Sequence, residues 1–557
     1  MQVTDSPEIH SRGFHVKFDI SEGNIGFILP TMIPPFKDWD LIEEVVAQVE
    51  NSTNHRKQMW NTCMALPLKS SIMDGPDVQM LSLKFNDLHP SLLLFLHRLC
   101  CITVKDEMTG SIHIMQRYNL SDGFVRVSDN GRNSHWLVVK EQLNAIMERP
   151  GVERTEIALA FPLQEVSSGI FDACHEHQQV FSFLPLRSYG LRFIIQGDFI
   201  LPSSREEIDA DSAWNQWLLS EIPNVCLKAV EVMKEASCFK QNKGKATSVF
   251  MSFVPLEGEV QGFFYPLPRM LLSSLRSSQC LPTEDKDNQW ALPCTVLGGW
   301  DESIRRLLPD DLLQMLLGLH YLHADVVISP ALAAELGVQM YGLKVLIDFM
   351  ECLCTRNAVL TELGPEWIRS WLIALHDCVV DESQKRLHFF QRKTEVEDLS
   401  RVKRLPFIPL SNGSYTSISE SPIWLPCVDR TSTNEITTLL ECFPLLYSEL
   451  RTVHPLLVNP LGGNSDTHLM QAENTSVVCL MLGELGVGQM SGHQVVKTHI
   501  LPVMFSNSIW LKSKPLVMQY LAFIMLHLES NCKECQTEDW NMMGELQKNA
   551  IIVTNNG

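Results

Sequence analysis

The segment from Val180 to Pro223, VFSFLPLRSYGLRFIIQGDFILPSSREEIDADSAWNQWLLSEIP, holds the centre of this chain to an α/β layout. Two apolar runs, Phe181–Leu186 and Leu191–Leu201, are interrupted by Gly190 and Gly197 and read as strands. Ser203 and Ser204 each have a glutamate three positions on, Glu206 and Glu207, so overlapping capping boxes place a helix start there. Arg205 then falls in the first helical turn. Free N–H groups at a helix start attract anions, and a guanidinium adds a fork suited to phosphate or carboxylate. The plain alternative is a solvated arginine paired with neighbouring glutamates, which contributes little.

At 557 residues the chain has room for about three or four domains, each able to bury a core. Hydrophobic content of 45% against 20% charged is that of a soluble globular protein. A net charge of −20 argues against whole-surface nucleic-acid binding, and the basic runs near Arg56 and Lys403 are too short to reverse that. The sixteen cysteines are scattered, and several (Cys100, Cys101, Cys352, Cys354, Cys479) lie in apolar runs, as expected of buried reduced thiols. The polar start MQVTDSPEIHSRG is no secretory signal, and no apolar run reaches membrane-spanning length. The expected setting is cytoplasmic or nuclear.

Along the chain, strand patterns come first, around Ile9–Ile20, in NIGFILPTMIPP and in Trp60–Lys69. Lys84–Ile102 reads as a buried or amphipathic helix. Strands follow in SIHIMQRYNL, DGFVRVSDNGRNSHWLVVKE and EIALAFPL, with Asp129-Asn130-Gly131 as a hairpin turn. The helix SAWNQWLLSEIP closes this α/β region near residue 223, and residues 231–300 read as a connector. Three landmarks then recur in order. Glu335–Val345 (ELGVQMYGLKV) returns as Glu484–Val495 (ELGVGQMSGHQV), the helix ending at His376 returns as that ending at His527, and FIPLSNG from Phe407 returns loosely as AIIVTNNG from Ala550. The offsets are about 149, 151 and 144 residues, which points to a mostly helical repeated unit.

The middle of the chain carries a resemblance. Asp198-Phe-Ile-Leu-Pro-Ser-Ser-Arg205-Glu206 is similar to the Leu-Pro-Leu-Asn-x-Ser-Arg-Glu loop in the middle domain of the ninety-kilodalton heat-shock chaperones. There the arginine reaches the γ-phosphate of ATP held by the preceding domain. FSFLPL, the Gly-Asp-Phe strand and SSREE also resemble sacsin and, over much more of the chain, the plant-type NO VEIN proteins. The resemblance implies an α/β (α+β) fold. Residues 1–70 would close a Bergerat-type ATPase fold of the GHKL class, and 71–230 would form a chaperone-like middle domain. The connector 231–300 and helical repeat modules at 301–450 and 451–557 would follow.

The same resemblance sets the functional expectations. Asn61-Thr62 stands where the last ATPase strand opens with Gly-Thr, so Thr62 is a candidate pocket-wall hydroxyl and Arg205 the candidate γ-phosphate contact. The adenine-reading Asp-x-Gly-x-Gly does not occur in this sequence, so no cofactor is expected in the chain as written, while ATP and Mg²⁺ are implied for a longer protein. Both ends read as cut, and an internal fragment is expected. Protein clients or partners are implied, in a chaperone-like or scaffold role that plant members link to nuclear developmental functions. The alternative is a non-catalytic interaction scaffold with a structural ATPase-like remnant. No oligomeric state follows from these residues.

Other chemistry-bearing residues are read as structural. Cys174-His175-Glu176-His177 and Cys532-x-x-Cys535 with His527 upstream offer soft ligands, but a four-ligand zinc site needs two spaced pairs and neither shows a second half in sequence. The first reads as a polar loop and the second as the tail of an exposed helix. His320 and His323 read as helical core or interface residues. Gly244-Lys245-Ala246 lacks the rest of a P-loop, and no Gly-x-Ser-x-Gly or His-Glu-x-x-His occurs.

Overall fold

The computed structural model describes the backbone of four strands between residues 8 and 65 and most of 88–549, without 203–206, 285–288, 386–391, 426–441, 459–467, 507–510, 536–541 and some shorter stretches. The chain folds as two compact units, Met1–Ser277 with Asp325–Ile328, and Ser278–Ala324 with Ser329–Gly557. The architecture is mixed α/β, a large β-sheet unit followed by a largely helical one.

In the first unit β1 (Glu8–Ser11), β2 (Phe14–Phe18), β3 (Pro30–Met32) and β4 (Thr62–Ala65) form an antiparallel sheet in the order β3-β2-β1-β4. A nine-stranded sheet then runs β12-β11-β13-β9-β8-β7-β6-β5, with β10 paired to β9. Its members are β5 (Cys101–Asp106), β6 (Ser111–Asn119), β7 (Phe124–Asp129), β8 (Arg132–Asn144), β9 (Arg154–Ser167), β10 (Ile170–Ala173), β11 (Gln179–Ser182), β12 (Leu184–Ser188) and β13 (Ile194–Gln196). Only β11 and β13 pair in parallel. Asp129 and Arg132 face each other across Asn130 and Gly131, whose φ of 46° and 86° are those of the expected two-residue hairpin turn.

Runs such as Trp136–Val139 and Ile157–Phe161 are buried without alternation because both faces of the sheet are covered. On one side Trp136, Val138, Ala158 and Ala160 meet Leu93–Phe95 of the one-turn helix α1 (Leu92–Phe95). On the other, Phe161 lies 5.3–6.1 Å, ring to ring, from Phe253 and Phe250 of α3 (Lys243–Phe253). The long helix α2 (Ala213–Glu235) packs on β8 and β9, and α4 (Leu267–Arg276) packs on α2.

Two sequence expectations change here. The helix read over Lys84–Ile102 is reduced, among the described residues, to the single turn of α1, after which the chain enters β5. Arg117 donates to the carbonyls of Leu93 and Leu96 at 2.5 and 2.9 Å, taking acceptors that a longer helix would have bonded internally. The capping boxes at Ser203 and Ser204 lie outside the described residues; the helix read in SAWNQWLLSEIP begins at Ala213, with Ser212 as its cap, after bends and turns within Glu207–Asp211. Asn215, fully buried, binds the N–H and C=O of Ile200 and the carbonyl of Asp209, each at 2.7–2.8 Å, which ties Ile200 and Asp209 to the first turn of the helix. The helix also continues past Pro223, because its buried face of Leu218, Ile222, Val225 and Ala229 outweighs one lost backbone bond.

In the second unit the histidine pair leaves its expected helix. Gly318, with φ of 67°, ends helix α6 (Asp310–Leu317), which follows α5 (Glu302–Leu307), and His320 enters a two-residue strand. That strand belongs to a pattern that occurs twice. The first copy has a hairpin of β14 (Leu281–Pro282) and β15 (Trp290–Ala291). Strand β16 (Val296–Gly298) then lies between parallel β17 (His320–Tyr321) and β18 (Gln339–Met340). The second has a hairpin of β19 (Ile408–Pro409) and β20 (Tyr415–Thr416), then β21 (Trp424–Leu425) bridged to Thr452 and parallel to β22 (Gly488–Gln489).

Matching backbone bonds tie each copy together. Leu322 N–H binds Leu297 O as Val453 binds Trp424 O, and His323 binds Pro282 O as His454 binds Pro409 O. Helices α7 (Pro330–Leu336) and α13 (His468–Leu485) precede the strands β18 and β22, and each turns off at a left-handed glycine, Gly337 or Gly486. Val338 then binds Ala333 O, and Val487 binds Leu482 O, 149 residues on. The pattern opens at Leu281, inside the stretch read as connector. The AIIVTNNG landmark lies outside the described residues.

After β18 come α8 (Leu343–Cys354), the long α9 (Asn357–Lys385), kinked at Gly364-Pro365, and α10 (Arg392–Arg404). The short helices α11 (Pro444–Glu449) and α12 (Pro455–Val458) precede α13. After β22 the chain forms Gly492–Gln494, the π-helical turn Val495–Ile500 and Leu501–Met504, then α14 (Lys514–Glu529) and α15 (Met542–Asn549). Val495, Val496, Ile500, Tyr520, Phe523 and Ile524 form the core between the Gly492 segment and α14. No helix among the described residues is long and apolar enough to cross a membrane.

Candidate functional site

Two arrangements stand out in the helical unit. In each copy, the helix after the two-residue strand meets the long helix packed on it. In the second copy that junction gathers His493, His527, Cys532 and Cys535, whose ligand atoms all lie within 4.8 Å of one another. Ser491 caps the Gly492 segment by accepting from Gln494 N–H at 3.2 Å, which sets His493 two residues into the helix. His527 lies in the last turn of α14, and Cys532 and Cys535 follow it. His493 and His527 are 1% and 8% exposed, so both imidazoles are held in the protein rather than in water. His493 Nδ1 and His527 Nε2 stand 3.1 and 3.3 Å from the same sulfur, Cys535 Sγ.

Sequence reading singled out three of these four residues but took them for the tail of an exposed helix, whereas His527 is buried and the fourth ligand comes from His493. His493 sits 34 positions before His527, too far for any ligand signature, and only the packing of the Gly492 segment against α14 supplies the second pair. The other cluster behaves differently. Cys174–His177 lies on an open loop where His175, Glu176 and His177 are exposed, and among the described residues no further ligand joins it.

In the first copy the corresponding junction is an open groove of about 790 Å³ between α5, the start of α8 and α9. Its walls are Ile304, Leu307, Leu343, Trp367 and Ile373, and its rim carries Asp301, Asp377 and Asp381 beside Arg306. Trp367 is fixed by its indole N–H to Leu307 O at 2.8 Å. Hydrogen bonds from the Ser303 hydroxyl and the Ile304 N–H hold the Asp301 carboxyl below its usual range, so it stays an anion. Burial pushes the Tyr341 hydroxyl on the groove wall well above the ordinary tyrosine range. By the same cause the half-buried Cys354 thiol is pushed up to about 12. Of the cysteines expected to be buried, Cys100 and Cys101 are exposed.

The two residues expected at a nucleotide site are placed as follows. Thr62 is the first residue of β4, opposite Ser11 of β1. Arg205 lies outside the described residues. Just beyond it Glu207 pairs with Arg187, whose guanidinium also covers the Tyr189 ring at 4.9 Å.

No family model matches the sequence. The protein NO VEIN of Arabidopsis thaliana is 41% identical over 560 residues, a match that takes in all of this chain and 20% of that protein's length. The chain is thus homologous throughout to about a fifth of a much longer plant protein.

Proposed function

From homology to NO VEIN along the whole chain, we propose that it is a scaffold section of a large chaperone-like protein, one that holds protein partners on its helical unit. The first-copy groove carries this reading. Its apolar walls suit a partner's hydrophobic side chains, and three carboxylates against one arginine on the rim suit a segment that also bears basic residues. Free thiols at the described cysteines fit work in a reducing compartment, nucleus or cytoplasm. The test is a photo-crosslinking residue placed at Ala374, inside the groove, and at Met147, which is 91% exposed, in the full-length protein in cells. Discrete protein adducts at Ala374, reduced by Asp377→Lys, are expected. Adducts no more frequent at Ala374 than at Met147 would remove the groove from the proposal.

A second reading adds nucleotide control, favoured by Thr62 at the head of the last strand of its sheet. In it, ATP with Mg²⁺ occupies a cleft completed by other parts of the protein, Thr62 lends a wall hydroxyl, and Arg205 offsets charge on the γ-phosphate. Arg205→Ala in the full-length protein then lowers ATP turnover by roughly a thousandfold while ATP affinity holds. Unchanged turnover eliminates Arg205. If neither protein turns over ATP, the scaffold is non-catalytic.

A further inference from the structure

We propose that His493, His527, Cys532 and Cys535 bind one Zn²⁺ in a closed, four-ligand site that fastens the second copy's Gly492 segment to the end of α14. The inference stands apart from the scaffold reading, since it concerns what holds this region together and not what it binds.

Three observations carry it. The first is donor chemistry. Two imidazole nitrogens and two sulfurs form the Cys₂His₂ set typical of tetrahedral structural zinc, and two thiolates balance the charge of a divalent ion. The second is geometry. In a tetrahedral site with ordinary zinc bond lengths, ligand nitrogen and sulfur lie about 3.6 Å apart. The two imidazole-to-Cys535 separations of 3.1 and 3.3 Å are within a few tenths of an ångström of that edge. The third is convergence. Both rings direct a nitrogen at one sulfur, so a cation between them would take a nitrogen from each ring and the thiolate as ligands, with the thiol protons released on binding. Burial of both rings matches a structural role, in which no coordination position is left open to water.

The four residues come from two separate stretches of the chain. Cys-x-x-Cys at 532–535 and His527 come from one stretch of chain, and His493 comes from the start of a different helix. A metal would therefore close a loop between two helices that also meet through side-chain packing and a Tyr520–His499 hydrogen bond.

The test uses the full chain, purified under reducing conditions without added metal or chelator. Zinc released by a thiol-blocking mercurial is expected at about one ion per chain. Cys535→Ser and His493→Ala should each lower that content several-fold, while the double substitution His175→Ala, His177→Ala in the exposed loop leaves it unchanged. Because a ligand variant can fail to fold, the zinc-stripped wild-type chain is also titrated with Co²⁺. Saturation at one equivalent, with the strong visible bands of tetrahedral cobalt and thiolate charge transfer in the near ultraviolet, supports the site. Three results overturn it: metal-free protein that gives no such bands, full zinc content in Cys535→Ser, or a Cys532–Cys535 disulfide whose reduction restores no metal binding. The last would make the pair a redox couple.

Discussion

The two copies in the helical unit share a hydrogen-bonded frame and differ in what their side chains build on it. In the first, the junction of α8 and α9 opens into an apolar groove with an acidic rim; in the second, the junction of the Gly492 segment and α14 draws in two imidazoles and two sulfurs. The difference is legible residue by residue. Lys344 stands 149 positions before His493, and Asp381 and Gln384 stand 151 positions before Cys532 and Cys535. His376 alone keeps the type of its counterpart His527, and in the first copy it lies 3.5 Å from Asp377. Backbone turns and paired strands thus set where helices meet, while three or four side chains decide whether that meeting place is an open groove or a cluster of imidazoles and sulfurs.

Metal removal should separate the copies most. Stripping zinc with a chelator is expected to lower amide-exchange protection in Gly492–Met504 and α14 by on the order of 5 kcal/mol, with α8 and the first half of α9 little changed. Equal losses in both copies would mean that the ion supports the unit as a whole, and no loss would mean that it supports nothing. The complementary substitution is Trp371→Ala in the first copy. Trp371 is fully buried, packs edge-on to Phe407 at 5.2 Å and donates its indole N–H to Leu346 O. Its loss should cost about 3–5 kcal/mol by urea denaturation while the zinc content of the folded fraction stays the same. A fall in zinc content would show that the two copies are not independent.

The sequence shows the frame better than the sites. Apolar strand runs, Asn130-Gly131 and the recurring Glu-Leu-Gly-Val landmark are local signals, and each corresponds to a strand pair, a turn or a helix stop in the fold. The capping boxes at Ser203 and Ser204 lie outside the described residues, and the helix capped by Ser212 is held by the buried Asn215 amide, which sequence periodicity does not report. Lys84–Ile102 failed because an arginine in β6 took the carbonyls that end the helix. At the quartet the local half, His527 and Cys532-x-x-Cys535, was visible as a ligand-bearing stretch. His493 was not, since only the packing of two helices brings it near.

Glycine substitutions offer a finer test of how alike the frames are. Gly337 and Gly486 end their helices at φ of 81° and 112°, conformations that an L side chain enters at a cost of roughly 1–2 kcal/mol. A Cβ at Gly337 would meet nothing within 4 Å, whereas at Gly486 it would touch Ile418 Cγ2 at 3.4 Å. Gly486→Ala should therefore destabilise more than Gly337→Ala in parallel denaturant titrations. The reverse order would show that the second copy's turn relaxes more easily than the first's.

The smallest effect comes from the helix caps, and it tests the register directly. Ser491 caps the second copy through its side chain, while its counterpart 149 positions earlier, Gly342, starts α8 with no side-chain cap. Gly342 has an extended φ of 168°, which any residue adopts, and a Cβ there would have nothing within 4 Å. Gly342→Ser can therefore place a hydroxyl where it accepts the Val345 N–H, as Ser491 accepts that of Gln494. Glycine is only a few tenths of a kcal/mol poorer than serine at this position, so Gly342→Ser should gain about that much and Ser491→Gly should lose about as much. Both shifts are measurable as opposite changes in denaturation midpoint at constant slope. If Gly342→Ser destabilises instead, the first turn of α8 is set by the groove beside it and not by the cap, and the two copies part company one residue earlier than their hydrogen bonds imply.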